Sequence, residues 1–447
     1  MPTAKRWCRM ESRTETSNKF ALVVSAVIPT PLKDDISLDK TRSTRTDVAL
    51  LYIARGVRGL GDGFAVILLP AYLSAIGFSP GQIGVILSAS LLGTALLTLA
   101  VGFIAPRHDL RNFMLAGALL MACTGLSFPS VDVFAIIAIV AFVGTINPST
   151  GDLGVLVPLE HAMLARGVPD DERTRTFARY SLIGALSMAA GSLVAALPDF
   201  MTSAAGLGEV AAFRVMFYVY AALGLVCAAL YWCLPHAQMQ ERRPSAPLGP
   251  SRKVVYKLAA LFSLDAFAGG FVVQSLLALW LFERFDMSLT AASVFFFWTS
   301  LLSAFSYPVA AWLSTRFGLV NTMVFTHIPS SLFLILAAFS PSLPLALGLL
   351  LLRAALSQMD VPTRTSYVMA VVTPPERTAA ASVTAVPRSL ASSLSPALAG
   401  AMLATSFSGL PLVICGVLKI GYDMGLLFSF RNVKPPEEKA REAMPAK

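Results

Sequence analysis

Val157-Pro158, followed by Glu172-Arg173-Thr174, returns 204 positions on as Val361-Pro362 and Glu376-Arg377-Thr378, at the same spacing and without a gap. Both copies lie between long apolar runs. Two further echoes surround this one. Arg107, Leu110, Asn112 and Met114 recur as Arg316, Leu319, Asn321 and Met323, and Gly63-Phe64 recurs as Gly270-Phe271. Three echoes in one order, at offsets between 204 and 209, mark an internal duplication. Duplicated halves embedded in apolar sequence are the pattern of membrane proteins built from two repeats around a central path.

Composition says why the setting is a bilayer. Of 447 residues, 55% are apolar and only 14% are charged, and the mean hydropathy is +0.68. That is too little charge to cover the surface of a soluble protein of this length. The net charge of +9 therefore suits loops facing anionic lipid, and no basic patch interleaved with aromatics points to nucleic acid. Four of the five cysteines (Cys123, Cys227, Cys233 and Cys415; the fifth is Cys8) lie in apolar runs with no CxxC pair, so they read as small buried hydrophobes. The histidines His108, His161, His236 and His327 are scattered without metal-ligand spacing, and no cofactor is expected.

Working outward from the repeat, twelve apolar runs of helical length appear at 48–76, 82–105, 112–128, 133–160, 176–197, 211–234, 254–282, 290–314, 319–339, 343–371, 379–404 and 410–430. Runs this long must be helices, because unpaired backbone groups cannot face lipid. The expected class is an all-α membrane protein with twelve transmembrane helices in two pseudo-symmetric six-helix bundles. Its expected parts are a disordered cytoplasmic tail at 1–46, bundles at 47–234 and 253–431, a linker at 235–252 rich in proline and charge, and a tail at 432–447. Arg107, Arg111, Arg166, Arg173, Arg175, Arg316 and Arg377 all fall in loops on one side, with Arg284 the exception. The positive-inside rule then places both termini in the cytoplasm of a multi-pass protein of the cell membrane.

At this point the chain resembles the major facilitator superfamily over about 48–431: twelve spans, a six-plus-six repeat and a basic central loop. That family has a loop between spans 2 and 3 of the form G-x-x-x-D-R-x-G-R-R. Here Gly102-Phe103-Ile104-Ala105-Pro106-Arg107-His108-Asp109-Leu110-Arg111 keeps the glycine, the first arginine and the last base. The second-half equivalent ends Thr315-Arg316-Phe317-Gly318. The resemblance assigns a gating role to Gly102, Arg107, Arg111, Arg316 and Gly318. The G-P-x-x-G-G motif of proton-driven drug exporters is missing from span 5, which reads Ser181-Leu182-Ile183-Gly184-Ala185-Leu186. The resemblance also implies that spans 1, 4, 7 and 10 line the path.

Charge inside a span is costly by several kcal/mol on insertion scales, so each such residue needs a partner or a cavity. Span 1 carries Arg55, Arg58 and Asp62 on one helical face. Span 4 carries Asp152, beside the helix-loosening Pro148 and Gly151, and then Glu160, for which Arg179 is the expected partner. Span 7 carries Asp265 and Gln274, and span 10 carries Arg353, Asp360 and Arg364. Asp360 and Arg364 are spaced to pair, whereas Arg353 has no such neighbour and suits an anionic group. Lys419 and Asp423 of span 12 read as a structural pair outside the path. Arg58 and Asp265 stand at matching places in the two halves. Two arrangements are open: a gate formed by these two across the path, or Arg58 kept by Asp62 with Asp265 free for substrate or a proton. The expected substrate and proton path is Arg58, Asp62, Asp152, Asp265, Gln274, Arg353, Asp360 and Arg364.

The function expected from these features is secondary active transport of a small organic solute by alternating access, proton-coupled and in the direction of efflux, by a monomer. The alternatives are a passive facilitator and a transporter-like sensor. No G-x-x-x-x-G-K-[ST] sequence supports ATP-driven transport. Asp170-Asp171-Glu172 is explained as a helix start, which argues against a metal-dependent membrane enzyme.

Overall fold

Apolar runs become helices here, and their ends fall where local chemistry stops them. The computed structural model describes residues 33–105, 108–149, 154–236 and 248–430. Helix α1 (Lys33–Ala75) begins within the stretch expected as a tail. The sequence from 33 to 46 contains neither glycine nor proline, so nothing in it interrupts the helix. Residues 1–32, most of the linker and the C-terminal tail lie outside the described residues. Helix α2 (Pro80–Ile104) starts with a capping box in which Ser79 accepts from the Gln82 N–H and Gln82 accepts from the Ser79 N–H. Helix α3 (Leu110–Ser127) is capped by Asp109, whose carboxylate accepts from the Arg111 N–H at 3.0 Å.

Three apolar runs expected as single helices are broken in the middle. The run at 133–160 gives α4 (Phe134–Val143) and α5 (Leu156–Gly167), separated by an extended Gly144 and by Pro148. Helices α6 (Asp170–Val194), α7 (Leu197–Ala205) and α8 (Glu209–Trp232) complete the first half. In the second half α9 (Arg252–Gly270) and α10 (Gln274–Phe285) part after Gly269-Gly270. Helices α11 (Leu289–Phe317) and α12 (Leu319–Ala338) follow, then α13 (Leu343–Ser357) and α14 (Asp360–Val371), separated at Gln358-Met359. Helices α15 (Arg377–Leu403) and α16 (Leu410–Phe430) end the fold. Among the described residues ten segments are long and apolar enough to cross a membrane. The α4–α5 pair, and α15 with its serines and internal Pro387 and Pro396, are consistent with the remaining two of twelve.

The repeat is visible in three dimensions. Helix α5 (Leu156–Gly167) and helix α14 (Asp360–Val371) span the same twelve positions displaced by 204. Each is closed by the same device: Arg173 donates to the Ala165 carbonyl at 3.0 Å, and Arg377 donates to the Met369 carbonyl at 3.1 Å. The helix contacts repeat too. Helix α3 packs on α8 as α12 packs on α16, and α2 packs on α4 as α11 packs on α13. Gly63 and Gly270 let their helices approach α6 and α15. A Cβ on Gly63 would lie 2.2 Å from the Met188 carbonyl oxygen, and one on Gly270 would lie 2.6 Å from that of Ser392, again 204 residues further on.

The halves meet through α2 with α15 and α6 with α11. The end of the bundle that carries the linker will be called the linker end. At the opposite end the halves are packed shut. A Cβ on Gly84 would lie 2.4 Å from the Pro396 carbonyl oxygen, and one on Gly400 would lie 2.4 Å from that of Pro80. Ser275 donates its hydroxyl to the Val66 carbonyl at 2.6 Å and its N–H to the Pro148 carbonyl at 3.2 Å. Asp199 accepts from both the N–H and the hydroxyl of Thr290. Leu69, Tyr72, Trp280, Leu281 and Leu403 share one buried apolar cluster there.

Candidate functional site

Two buried ionic clusters hold most of the charge within the spans, one in each half. In the first, Arg58 of α1 pairs with Glu160 of α5. Glu160 is fully buried and also accepts from the hydroxyls of Tyr180 (α6) and Tyr231 (α8), the latter at 2.6 Å. Arg58 donates to the Tyr180 hydroxyl as well, at 3.1 Å. Arg55 lies over the Tyr180 ring, 5.2 Å from its centroid. Four helices are tied together by one carboxylate. The expected pairing of Glu160 with Arg179 does not occur, because Glu160 is fully buried whereas Arg179 is on the exposed side of α6.

The second cluster is centred on Asp265 of α9. It accepts from Lys419 of α16 at 2.7 Å and from Arg364 of α14 at 3.1 Å. Arg364 also reaches Asp360, one turn away on its own helix, at 3.0 Å, as its spacing led one to expect. His327 of α12 bridges onward, with Nε2 3.2 Å from Lys419 Nζ and Nδ1 3.0 Å from Asp423. The ammonium can only donate, so Nε2 accepts and Nδ1 carries the proton given to Asp423. Lys419 and Asp423 therefore do not pair with each other. Each turns to a neighbouring helix, and Lys419 lines the large cavity between the halves.

The clusters are mirror versions of each other with the signs reversed. Arg58 corresponds to Asp265 at an offset of 207, and Glu160 corresponds to Arg364 at 204. Base on span 1 with acid on span 4 becomes acid on span 7 with base on span 10. The cross-path pair of Arg58 and Asp265 is not formed in this structure, since each is held within its own half. Asp62 sits one turn beyond Arg58 without a direct ion pair among the described residues. It lines a small cavity of about 30 Å³, enough for roughly one water, with Tyr220 and Asn147.

A large cavity of about 1050 Å³ lies between the halves. It runs from Gly102, Phe103 and Arg377 at the linker end to Gln274, Leu277 and Leu350 at mid-depth, where the closed packing stops it. Asp265, Gln274, Arg353, Asp360 and Arg364 all line it. His327, Lys419 and Arg388 line it too, and the sequence reading had not placed these in the path. The duplication held a signal for this arrangement, because the equivalents of a paired Arg58 and Glu160 are themselves opposite in sign. Asp152 and Arg107 lie outside the described residues. Of the remaining gating candidates, Gly102 borders the cavity mouth. Arg111 donates to the Trp232 carbonyl at 2.6 Å beside an Asp109–His236 pair, tying the loop to the end of α8. Arg316 stacks on Trp312, 4.9 Å from the ring centroid. Gly318 ends α11 at φ 85°, a left-handed value that favours glycine.

The family model described as Major Facilitator Superfamily matches residues 51–264 and 259–446. An uncharacterised membrane protein of Saccharomyces cerevisiae, YJR124C, is 24% identical over 430 residues, covering 88% of this chain and 96% of its own length. The crystal structure of the nucleoside transporter NupG superposes with a TM-score of 0.65 at 16% identity, covering 86% of this chain and 98% of that one. A bacterial homologue of the human lysosomal transporter Spinster, inward-facing and occupied, gives 0.66 at 16%, covering 86% and 96%. The human organic anion transporter MFSD10 gives 0.59 at 16%, covering 86% and 99%. At these identities the structures share the fold.

Proposed function

The chain belongs to the major facilitator superfamily, and from that premise we propose that it moves a small organic solute across a membrane by alternating access. The observation that carries this reading is the cavity. It is bordered by both halves, reaches the linker end and stops at mid-depth against packing that joins the halves at the other end. A solute bound there would cross if the halves rocked to open the far end and close the near one. The arginines of the short loops support a cytoplasmic linker end, and on that reading this is an inward-facing state of a multi-pass protein, with the cell membrane as its proposed location.

Coupling to protons, in the direction of efflux, is part of the proposal, and Asp62 is the carrier. Glu160, Asp265 and Asp360 are each held by a cation. Asp62 lacks such a partner among the described residues and faces a cavity of water size. Rearrangement of the Arg58 cluster would alter the field at Asp62 and so load or release a proton. The test is transport by proteoliposomes under an imposed pH gradient. Asp62→Asn should lose uphill accumulation and retain solute exchange. Accumulation equal to that of the unaltered protein would remove Asp62 from the mechanism. A passive facilitator is the second reading, favoured by the same neutralisation of Glu160, Asp265 and Asp360, and it would equilibrate the solute with no dependence on the imposed pH gradient.

A further inference from the structure

We infer that the solute is an organic anion, and that Arg353 and Arg388, with the amide of Gln274, form its binding site. The inference rests on the transport reading and names the substrate class of that same cavity.

The charge count along the cavity wall is unequal. Among the described residues Arg353, Arg364, Arg377, Arg388 and Lys419 line it against two carboxylates, Asp265 and Asp360. Those two are already taken. Asp265 is held by Lys419 and Arg364, and Asp360 by Arg364. Asp423, deeper in the same cluster, is engaged by His327. Arg353 and Arg388 are left without an ion pair among the described residues. The Nε of Arg388 is buried and has no hydrogen-bond partner.

Their depth fits a binding site rather than an interfacial anchor. Arg353 lies ten residues into the α13–α14 span, and Arg388 lies eleven residues into α15, which enters from the other end. At 1.5 Å per residue each is about 15 Å from the nearer end of its element, too deep for its side chain to reach the headgroups. A cation at this depth needs a partner or a cavity, and these two have the cavity but no counter-charge of their own among the described residues.

Gln274 is an independent observation at the same level. It stands eleven residues from the far end of α10, where Arg353 stands ten from the far end of α13. It is 7% exposed, lines the cavity, and neither its amide oxygen nor its amide nitrogen has a hydrogen-bond partner. Buried amides are nearly always hydrogen-bonded, so a group with both ends unmet facing a cavity is placed for a ligand. A guanidinium binds a planar carboxylate or a phosphate through two parallel hydrogen bonds. The amide can then take a donor or an acceptor on the body of the same molecule. The solute is therefore a carboxylate or a phosphate ester with a polar body.

Purified protein in detergent is titrated with succinate, benzoate and glycerol 3-phosphate as anions, choline as a cation, and glucose and uridine as neutral solutes, with the thermal unfolding midpoint as readout. At least one anion should raise the midpoint, and choline, glucose and uridine should not. Whether benzoate and succinate or glycerol 3-phosphate acts separates carboxylate from phosphate ester. Arg353→Gln and Arg388→Gln should each weaken the apparent affinity about tenfold to a hundredfold, the loss of one charge-assisted contact. Arg353→Lys, which keeps the charge, should lose less, and it serves if the glutamine variant does not fold. A shift with choline, glucose or uridine alone, no shift with any anion, or a shift unchanged in the arginine variants would overturn the inference. Proteoliposome counterflow keeps the two readings apart. An anion that binds but does not cross refutes transport and leaves the site standing, whereas counterflow of a neutral solute refutes the anion site and leaves transport standing.

Discussion

Removing Glu160 while keeping its shape should be among the most damaging single changes in the protein. Arg58 is 6% exposed and Glu160 is fully buried, so Glu160→Gln strands a guanidinium in the interior. The Tyr180 and Tyr231 hydroxyls, which now donate to a carboxylate, would share one neutral amide oxygen. Breaking a buried pair by deleting one partner costs about 3–5 kcal/mol, most of it the uncompensated charge. Asp62, one turn along α1, is the residue that could reduce the loss. Replacing both members with apolar side chains, Arg58→Met with Glu160→Leu, removes the charge altogether but leaves the Tyr180 and Tyr231 hydroxyls without their acceptor, and should cost about 1–3 kcal/mol. The double variant should therefore be more stable than Glu160→Gln, and with the single variants Arg58→Met and Glu160→Leu it closes a double-mutant cycle that gives the coupling energy. Equilibrium unfolding in mixed micelles of rising SDS content measures each variant against the unaltered protein. A cost below about 1 kcal/mol for Glu160→Gln alone would refute the reasoning, because Arg58 would then have adequate compensation elsewhere.

Gly63→Ala should destabilise by about 1–3 kcal/mol in the same assay, since its Cβ would lie 2.2 Å from a backbone oxygen. Gly270→Ala should cost less, because its backbone clash with the Ser392 oxygen is milder, at 2.6 Å, and the closer Ser395 hydroxyl can move, and Gly102→Ala, with nothing within 4 Å, should stay within about 0.5 kcal/mol. Glu376 accepts from the Thr373 and Ser251 hydroxyls and the Gly249 N–H, which hold its carboxyl below the ordinary 4.5, at about 2. That tether between the linker end and the start of α15 is fully present above pH 4.5 and is lost as the pH falls through about 2. Pepsin cutting beside Gly249 should therefore rise as the pH is lowered across that window, and in Glu376→Gln it should be high throughout.

The class of this protein and its duplication were legible in the letters alone. Lipid forbids unpaired backbone, so an apolar run of about 20 residues can only be a helix, and a run has the same meaning wherever it sits. The offset of 204 likewise survived into space, from the Arg173 and Arg377 caps to the paired helices α5 and α14. The helix breaks were partly legible. Pro148 and Gly269-Gly270 announce two of them, whereas Gln358-Met359 announces nothing. Partner choice was legible for Asp360 and Arg364 and not for the other charges. Lys419 and Asp423 are four apart and read as a pair, yet one turns to Asp265 and the other to His327. Arg58 stands beside Asp62 in sequence and binds Glu160 across the bundle. Spacing along a helix reports only which side chains share a face. Which opposite charge comes within hydrogen-bonding distance is set by the helix packed against that face, and in an interior without water that contact, more than sequence proximity, decides where each charge is neutralised.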